Sequence, residues 1–124
     1  MPVDFDPTRP IYLQIMESVK KKSVRGEHAP GAQLPSVRDM AATMGVNPNT
    51  MARAYQELER EGFVETRRGE GSFVTTDADR IDAERQRLAE TARNQFADEI
   101  RDLGLTTAQM RSLLAQIDKE ATSS

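Results

Sequence analysis

The sequence contains no cysteine and a single histidine. Disulfide bridges and cysteine-bearing zinc sites are therefore excluded, and so is nucleophilic catalysis by a cysteine. The one histidine, His28, lies in the segment EHAPGAQL, where a Pro-Gly pair predicts a turn, so we expect an exposed loop residue. The carboxylates are scattered and form no recognisable catalytic set. We predict a protein that is not an enzyme and that has no cofactor and no metal site.

Long apolar runs are also absent. No stretch approaches the roughly 18–20 apolar residues that a transmembrane helix needs. The opening residues, MPVDFDPTRP, are acidic and proline-rich, whereas a signal peptide has an apolar centre. We therefore expect a cytoplasmic protein with no membrane partner.

An excess of positive charge, which many DNA-binding proteins carry, is missing as well. The net charge is −3, but it is unevenly distributed along the chain. Residues 1–76 hold 10 basic and 10 acidic side chains, and residues 77–124 hold 7 and 10. Because the front of the chain is neutral, a nucleic-acid partner must be argued from residue pattern and not from net charge.

The segment Asn47–Glu61 organises the chain, because it predicts a helix with one apolar and one polar face. Asn47 is a favourable N-cap, and Pro48 suits the first helical position, where its missing N–H needs no partner. The apolar face contains Met51, Ala54, Tyr55 and Leu58. The polar face starts with Asn47, Asn49, Thr50 and Arg53. Such groups can read base edges in a DNA major groove, although capping and solvation would also explain them.

A shorter helix precedes this segment, and a tight turn separates the two. Ser36 and Asp39 form a capping-box pattern, and the helix Val37–Met44 ends at Gly45. Two helices joined by a tight glycine-containing turn are a helix-turn-helix motif. Arg38 stands at the start of the first helix, where we expect it to reach a DNA phosphate.

A further helix and a hairpin complete the front of the chain. An apolar stripe from Ile11 predicts a helix that ends near Arg25. After Gly62 the apolar period changes to two on either side of a glycine-rich turn, which predicts two short strands. A hairpin directly after a recognition helix is the wing of a winged-helix domain. The tip of this wing carries residues that we expect to approach DNA: Arg67, Arg68, Gly69 and Gly71.

Four phrases of the sequence resemble the GntR family of bacterial transcription regulators. They are PIYLQI from residue 10, PGAQLPSVRDMA from residue 30, GVNPNTMARAYQELEREGFVET from residue 45 and RRGEGSFV from residue 67. The resemblance implies a winged helix-turn-helix fold with double-stranded DNA as partner. It implies DNA contacts at Arg38, at the start of the recognition helix and at the wing. Many members carry a basic residue where this chain has Pro48, so the base sequence that they read is not transferred.

Residues 77–124 predict two amphipathic helices with a break at Gly104. Asp77, Asp79 and Asp82 stand at the start of the first helix, where capping and the helix dipole explain them without a metal ion. A helical hairpin of this length is too small to enclose its own core, so its apolar stripe needs either the front domain or the same hairpin of a second chain as partner. We favour the second chain, because DNA-binding modules that read two half-sites are dimers. The stripe that we assign to this homodimer interface is Ile81, Leu88, Ala92, Phe96, Ile100, Leu103, Met110, Leu113, Leu114 and Ile117.

The short C-terminal region resembles the YtrA subgroup, often associated with transporter operons, and we expect no large effector domain. A small-molecule effector pocket between the C-terminal helices is left open. The predicted fold is mainly α with a small β-hairpin: a DNA-binding domain over residues 1–76 and a dimerisation region over residues 77–124. We predict a homodimeric, sequence-specific repressor that binds two half-sites. The alternative is a winged-helix module that binds another protein.

Overall fold

The computed structural model describes residues 3–122, which form five helices and one two-stranded sheet. In chain order the elements are α1 (Ile11–Val24), α2 (Val37–Met44), α3 (Pro48–Arg60), β1 (Val64–Arg67), β2 (Gly71–Val74), α4 (Ala78–Leu103) and α5 (Thr107–Thr122). This order confirms the mainly helical chain with a β-hairpin that the sequence predicts. The chain forms two compact units, and the boundary between them falls between Arg87 and Leu88.

The first unit, which we call the winged-helix unit, has a closed apolar core. Its buried apolar side chains come from α1, α2, α3, the hairpin, the start of α4 and the segments just before α2 and β1, and they include Ile15, Val19, Leu34, Met40, Met44, Met51, Leu58, Phe63, Val74 and Ile81. Burying one such side chain contributes about 1.5–3 kcal/mol, so these contacts hold the three helices together. The apolar faces that the sequence predicts are thus the faces that pack.

The turn between α2 and α3 follows the local signals of the sequence. The Ser36 Oγ accepts a hydrogen bond from the Asp39 N–H at 3.1 Å, which caps α2. Gly45 ends α2 with φ of 71°, a left-handed conformation that favours glycine. Asn47 caps α3, because its Oδ1 accepts the Asn49 N–H at 2.7 Å. These caps set the helix-turn-helix and place the first turn of α3 at the surface.

The wing has more backbone pairing than the sequence predicts. β1 and β2 are antiparallel, with Val64 opposite Val74. The sequence predicts only a loop for residues 27–34, but part of it runs along β2. The Val74 N–H donates to the Ala32 carbonyl, and the Gly31 N–H donates to the Val74 carbonyl, both at 2.9 Å. Backbone pairing of this kind leaves no periodic side-chain signal, so sequence reasoning missed it.

The start of α4 belongs to the winged-helix unit. Asp77 caps it, since its Oδ1 accepts the Asp79 N–H at 3.0 Å, as the sequence predicts. Ile81 is buried in the core of this unit. The assignment of Ile81 to the dimer stripe is therefore corrected, because its own chain already covers it.

A nearly buried lysine joins three elements of the winged-helix unit. The Lys20 Nζ lies 2.8 Å from the Glu61 Oε1, at the end of α3, and 3.0 Å from the Glu84 Oε1, on α4. The Arg87 Nε also donates to Glu84. Only 6% of the Lys20 side chain is exposed, and the two carboxylates offset the cost of burying its charge. The ion pairs fix the first turns of α4 relative to α1 and α3.

The second unit consists of residues 88–103 of α4 together with α5. Gly104 separates the helices with φ of 65°. Thr106 and Gln109 then form a reciprocal capping box, as the sequence predicts. The Thr106 N–H donates to the Gln109 Oε1 at 2.9 Å, and the Gln109 N–H donates to the Thr106 Oγ1 at 3.1 Å. The cap explains why α5 begins only three residues after Gly104.

Apolar side chains of the second unit remain in contact with solvent. None of the described residues 88–121 is fully buried. Leu103, Leu114 and Ile117 are 72%, 47% and 52% exposed. The remaining residues of the stripe are exposed or half-buried: Leu88, Ala92, Phe96, Ile100, Met110 and Leu113. The unit therefore presents an apolar stripe that its own helices do not cover.

Candidate nucleic-acid interface

The first two turns of α3 present the polar residues that the sequence singles out. Asn49 and Arg53 are exposed, and Thr50 is half-exposed. These three side chains line one shallow groove, whose other wall is the start of α1. Asn47 is exposed too, but its Oδ1 is already engaged in capping, so its amide N–H groups are the donors left for a partner.

An aromatic ring from α1 lies beneath Arg53. The guanidinium carbon of Arg53 is 3.9 Å from the centroid of the Tyr12 ring. Sequence reasoning treats Tyr12 only as part of the apolar stripe of α1, because nothing in the local pattern connects it with a residue 41 positions later. The structure adds Tyr12 to the candidate site.

Arg38 lies in the first turn of α2 and is exposed. Within residues 3–122 its guanidinium has no hydrogen bond or ion pair. The segment before α2 is tied to α3, because the Tyr55 hydroxyl donates to the Pro35 carbonyl at 2.6 Å. Burial raises the pKa of Tyr55 to about 12, so this hydroxyl stays protonated and able to donate well into the alkaline range. Arg38 therefore projects from a helix start whose position relative to α3 is fixed.

The wing tip carries two arginines in different surroundings. The guanidinium carbon of Arg67 is 4.1 Å from the centroid of the Phe73 ring, and Arg67 also lies 3.9 Å from a carboxylate oxygen of Glu65. Arg68 is exposed and makes no hydrogen bond or ion pair with the described part of the chain. Arg68 is thus available to an anionic partner, whereas Arg67 is oriented by its neighbours.

The glycines of the wing have conformations that other residues rarely adopt. Gly69 has φ of 79° with open space around it, and Gly71 has φ of 119°. A Cβ at Gly71 would lie 2.7 Å from the Gln33 Nε2, which donates to the Glu70 carbonyl at 2.7 Å. The shape of the turn therefore explains Gly71, with or without a DNA backbone nearby. Gln33 has no distinguishing pattern in the sequence, and sequence reasoning missed it.

His28 is half-buried, which corrects the expectation of an exposed loop residue. Its Nε2 is buried without a hydrogen-bond partner among residues 3–122, and burial lowers the pKa of the imidazole. A neutral ring in a packed loop is the simplest description of this residue.

Two further features bear on the kind of site. In the described residues, no group of three or more histidine or carboxylate side chains is arranged to hold a metal ion. No helix within residues 3–122 has the length and apolar character to cross a membrane. The exposed groups that the sequence singles out on α2, the start of α3 and the wing are arginines, amides and a hydroxyl. Guanidinium groups pair with phosphates and guanines, and amides pair with adenines.

A helix-turn-helix followed by a wing, with exposed arginines on all three elements, defines a winged helix-turn-helix DNA-binding protein. The family described as "Bacterial regulatory proteins, gntR family" matches residues 11–74. The HTH-type transcriptional regulator YhcF of Bacillus subtilis is 44% identical over 106 residues, which cover 86% of this chain and 88% of that protein. The chain belongs to the GntR family.

Two more comparisons support this membership. The HTH-type transcriptional repressor YtrA of Bacillus subtilis is 45% identical over 78 residues, 61% of this chain and 60% of YtrA. A GntR family transcriptional regulator from Listeria monocytogenes has a solved structure with a TM-score of 0.81, at 34% identity, over 90% of this chain and 98% of that one. The chain is a transcriptional regulator with a DNA-binding domain, and the predicted likeness to YtrA is confirmed. Regulators of this family are not enzymes.

Proposed function

We propose that this chain is a homodimeric, sequence-specific repressor that binds an operator with two half-sites in the bacterial cytoplasm. The observation that carries the proposal is the exposed polar start of α3, where Asn49, Thr50 and Arg53 share one groove. The second helix of a helix-turn-helix places its N-terminal residues against base edges in the major groove. An amide and a guanidinium there can form bidentate hydrogen bonds to adenine and guanine.

Contacts to the DNA backbone are proposed for the arginines outside α3. Arg38 and Arg68 have no ion-pair partner among the described residues, so no carboxylate competes with a phosphate for them. Arg67 and the glycines Gly69 and Gly71 shape the wing tip that carries Arg68. Such contacts position a protein on the duplex but carry little sequence information.

A second copy of the chain is the proposed cover for the apolar stripe of the second unit. Leu103, Leu114 and Ile117 are each about half exposed or more, and solvent contact with such residues is unfavourable. Two DNA-binding domains in one dimer bind two half-sites, and the second contact becomes effectively intramolecular.

The direction of regulation is proposed from a relative. YtrA of Bacillus subtilis is named as a repressor, and we propose the same direction here. A transporter operon is the proposed target, by resemblance to the YtrA subgroup. A small-molecule effector between the C-terminal helices stays a prediction.

Selection from random double-stranded DNA with the full chain tests sequence-specific binding. We expect enrichment of a sequence with two related half-sites whose centres lie about 10 base pairs, or a multiple of that distance, apart. A variant with Arg38, Arg53 and Arg68 all replaced by alanine is the control and should enrich nothing. If the wild-type chain also enriches nothing, sequence-specific binding is contradicted, and the alternative of a winged-helix module that binds another protein is favoured.

Sedimentation of two single variants tests the dimer. Leu114→Glu places a carboxylate in the stripe, and Ala115→Glu places the same group on the same helix outside the stripe. We expect the first variant to be monomeric and to lose at least about 100-fold in operator affinity, and the second to behave as wild type. A dimeric Leu114→Glu variant would place the interface elsewhere.

A further inference from the structure

We propose that Tyr12 is a positioning residue that holds the guanidinium of Arg53 ready to read a base. The proposal rests on the proposed function of sequence-specific DNA binding. The guanidinium carbon of Arg53 is 3.9 Å from the ring centroid of Tyr12. Arg53 makes no hydrogen bond or ion pair with any other residue in the range 3–122. The aromatic ring is therefore the contact that orients this exposed side chain.

The Tyr12 ring has a fixed place, because both its surroundings and the chain before it are held. Tyr12 is half-buried and packs against the core of the winged-helix unit. Gln14 holds the segment before α1: its Nε2 donates to the carbonyls of Asp6 and Arg9 at 2.8 and 3.0 Å. The Gln14 Oε1 in turn accepts the Asp6 N–H at 2.9 Å. A ring anchored in this way can restrict the rotamers of Arg53.

The type of contact matters for what Arg53 can still do. The face of an aromatic ring attracts a cation through the ring quadrupole, without using any hydrogen-bond donor of the guanidinium. The N–H groups of Arg53 therefore remain available for the O6 and N7 atoms of guanine. A carboxylate in the place of Tyr12 would orient Arg53 equally well but would occupy those donors and weaken the pairing.

The same groove brings Arg53 next to the other proposed base-reading groups. Pro10, Ile11 and Tyr12 form one wall, and Asn49, Thr50 and Arg53 form the other. Ile11 is 42% exposed at this edge, which leaves the groove open to a ligand. Because Arg53 is already held in the free protein, it loses less conformational entropy when DNA binds. A smaller entropy loss raises affinity.

A double-mutant cycle on the full chain tests the proposal, with the DNA sequence enriched by the wild type as the probe. Tyr12→Phe keeps the ring and should bind within about twofold of wild type, as expected for an intact cation–π contact. Tyr12→Leu keeps an apolar side chain but removes the ring, and we expect a loss of about 3- to 10-fold. In an Arg53→Ala background, Tyr12→Leu should cause no further loss. The preference for one base at the position that Arg53 reads should weaken in Tyr12→Leu and should be retained in Tyr12→Phe.

The cycle separates positioning from packing, because any loss of core packing by Tyr12→Leu occurs in both backgrounds. An equal loss with and without Arg53 would overturn the proposal, and so would tighter binding by Tyr12→Leu. NMR of the free protein provides a second readout that needs no DNA. The Arg53 Hδ resonances should be shifted upfield by the ring in wild type and Tyr12→Phe, but not in Tyr12→Leu.

The two readouts also distinguish failure of this proposal from failure of the proposed function. If the wild type enriches no DNA sequence, specific DNA binding is wrong, and base readout by Arg53 is wrong with it. The NMR comparison then shows separately whether Tyr12 orients Arg53. If the wild type binds a sequence but the Arg53 resonances are unaffected by the ring, only the role of Tyr12 is wrong.

Discussion

The Lys20 Nζ lies 3.0 Å from the Glu84 Oε1, so a nearly buried ion pair joins α1 to the first turns of α4. The other partner of Lys20, Glu61, directly follows α3 and is half-exposed, whereas Glu84 is almost fully covered. The start of α4 is therefore part of the structure that presents α3, together with Ile81 in the core. The compact winged-helix unit thus includes residues beyond Thr76, where the alternating pattern of the hairpin ends.

Replacing Lys20 by methionine should destabilise the winged-helix unit. The substitution keeps most of the apolar stem but leaves Glu84 with Arg87 as its remaining cationic partner. We expect a loss of about 1–3 kcal/mol in the free energy of unfolding, measured by urea titration. Lys21→Met is the matched control, because Lys21 is exposed and pairs with Glu17 within one helix; it should change stability by less than about 0.5 kcal/mol. Equal effects of the two variants would contradict a structural role for the buried pair.

Tyr55→Phe should change how stability depends on alkaline pH. Burial raises the pKa of Tyr55 in the folded state to about 12, from about 10 in the unfolded chain. The neutral phenol therefore contributes stability fully below pH of about 10, and the contribution is lost as pH rises towards 12. Near pH 7 the variant should lose about 0.5–1.5 kcal/mol, because the hydrogen bond to Pro35 is missing. Above pH 10 the difference between the two unfolding free energies should shrink; a constant difference up to pH 12 would rule out the linkage.

Alanine at the two wing glycines should separate backbone strain from steric contact. Gly69→Ala meets open space and should lose about 1–2 kcal/mol from its left-handed backbone alone. Gly71→Ala should lose about 2–3 kcal/mol, because its φ is further from any conformation that alanine prefers. It also displaces the Gln33 amide from its bond to Glu70. Thermal unfolding of both variants measures the losses. Repeating Gly71→Ala in a Gln33→Ala background removes the steric contact, so the loss that remains is the backbone strain. A Gly69→Ala variant less stable than Gly71→Ala would contradict this order.

Operator binding should depend strongly on salt. If each DNA-binding domain neutralises about four phosphates, a dimer neutralises about eight, and the slope of log affinity against log salt is about −7. Arg68→Ala should make the slope about 2 less steep in the dimer and weaken all sequences evenly. Filter-binding titrations at several salt concentrations measure both quantities. A slope near zero would show that these arginines do not contact DNA phosphates.

Asn49→Ala should change sequence preference and not general affinity. Its amide is expected to reach a base edge, so its loss should weaken operator binding by about 1–3 kcal/mol and relax preference at one position. Competition against single-base variants of the operator makes the comparison. An equal loss of affinity on every DNA sequence would indicate that Asn49 contacts the DNA backbone and not a base.

Local signals in the sequence were sufficient for much of the fold. Asn47, Ser36 and Thr106 cap helices as predicted, because a cap depends on residues only two or three positions away. The apolar spacing of α3 also predicted which of its faces is buried.

The missed features depend on residues that are distant in sequence. Lys20 looks like a surface charge near a helix end, and its burial follows only from Glu61, 41 residues away, and from Glu84 on α4. Tyr12 beneath Arg53 and Gln33 beside Gly71 are cases of the same kind. Which of the predicted site residues contact DNA stays a prediction, since that depends on a partner molecule.

The strand β2 has a hydrogen-bonded neighbour on each side, β1 on one edge and the backbone of residues 31–34 on the other. A two-stranded hairpin alone is only marginally stable in water, and a third backbone segment gives it a firm base. A wing with such a base has less conformational entropy to lose when DNA binds. Because its outer edge is occupied, β2 also offers no template for pairing with a strand of another molecule. A regulator that searches long stretches of non-specific DNA can therefore carry an exposed wing in which the edge of β2 is closed to strand addition.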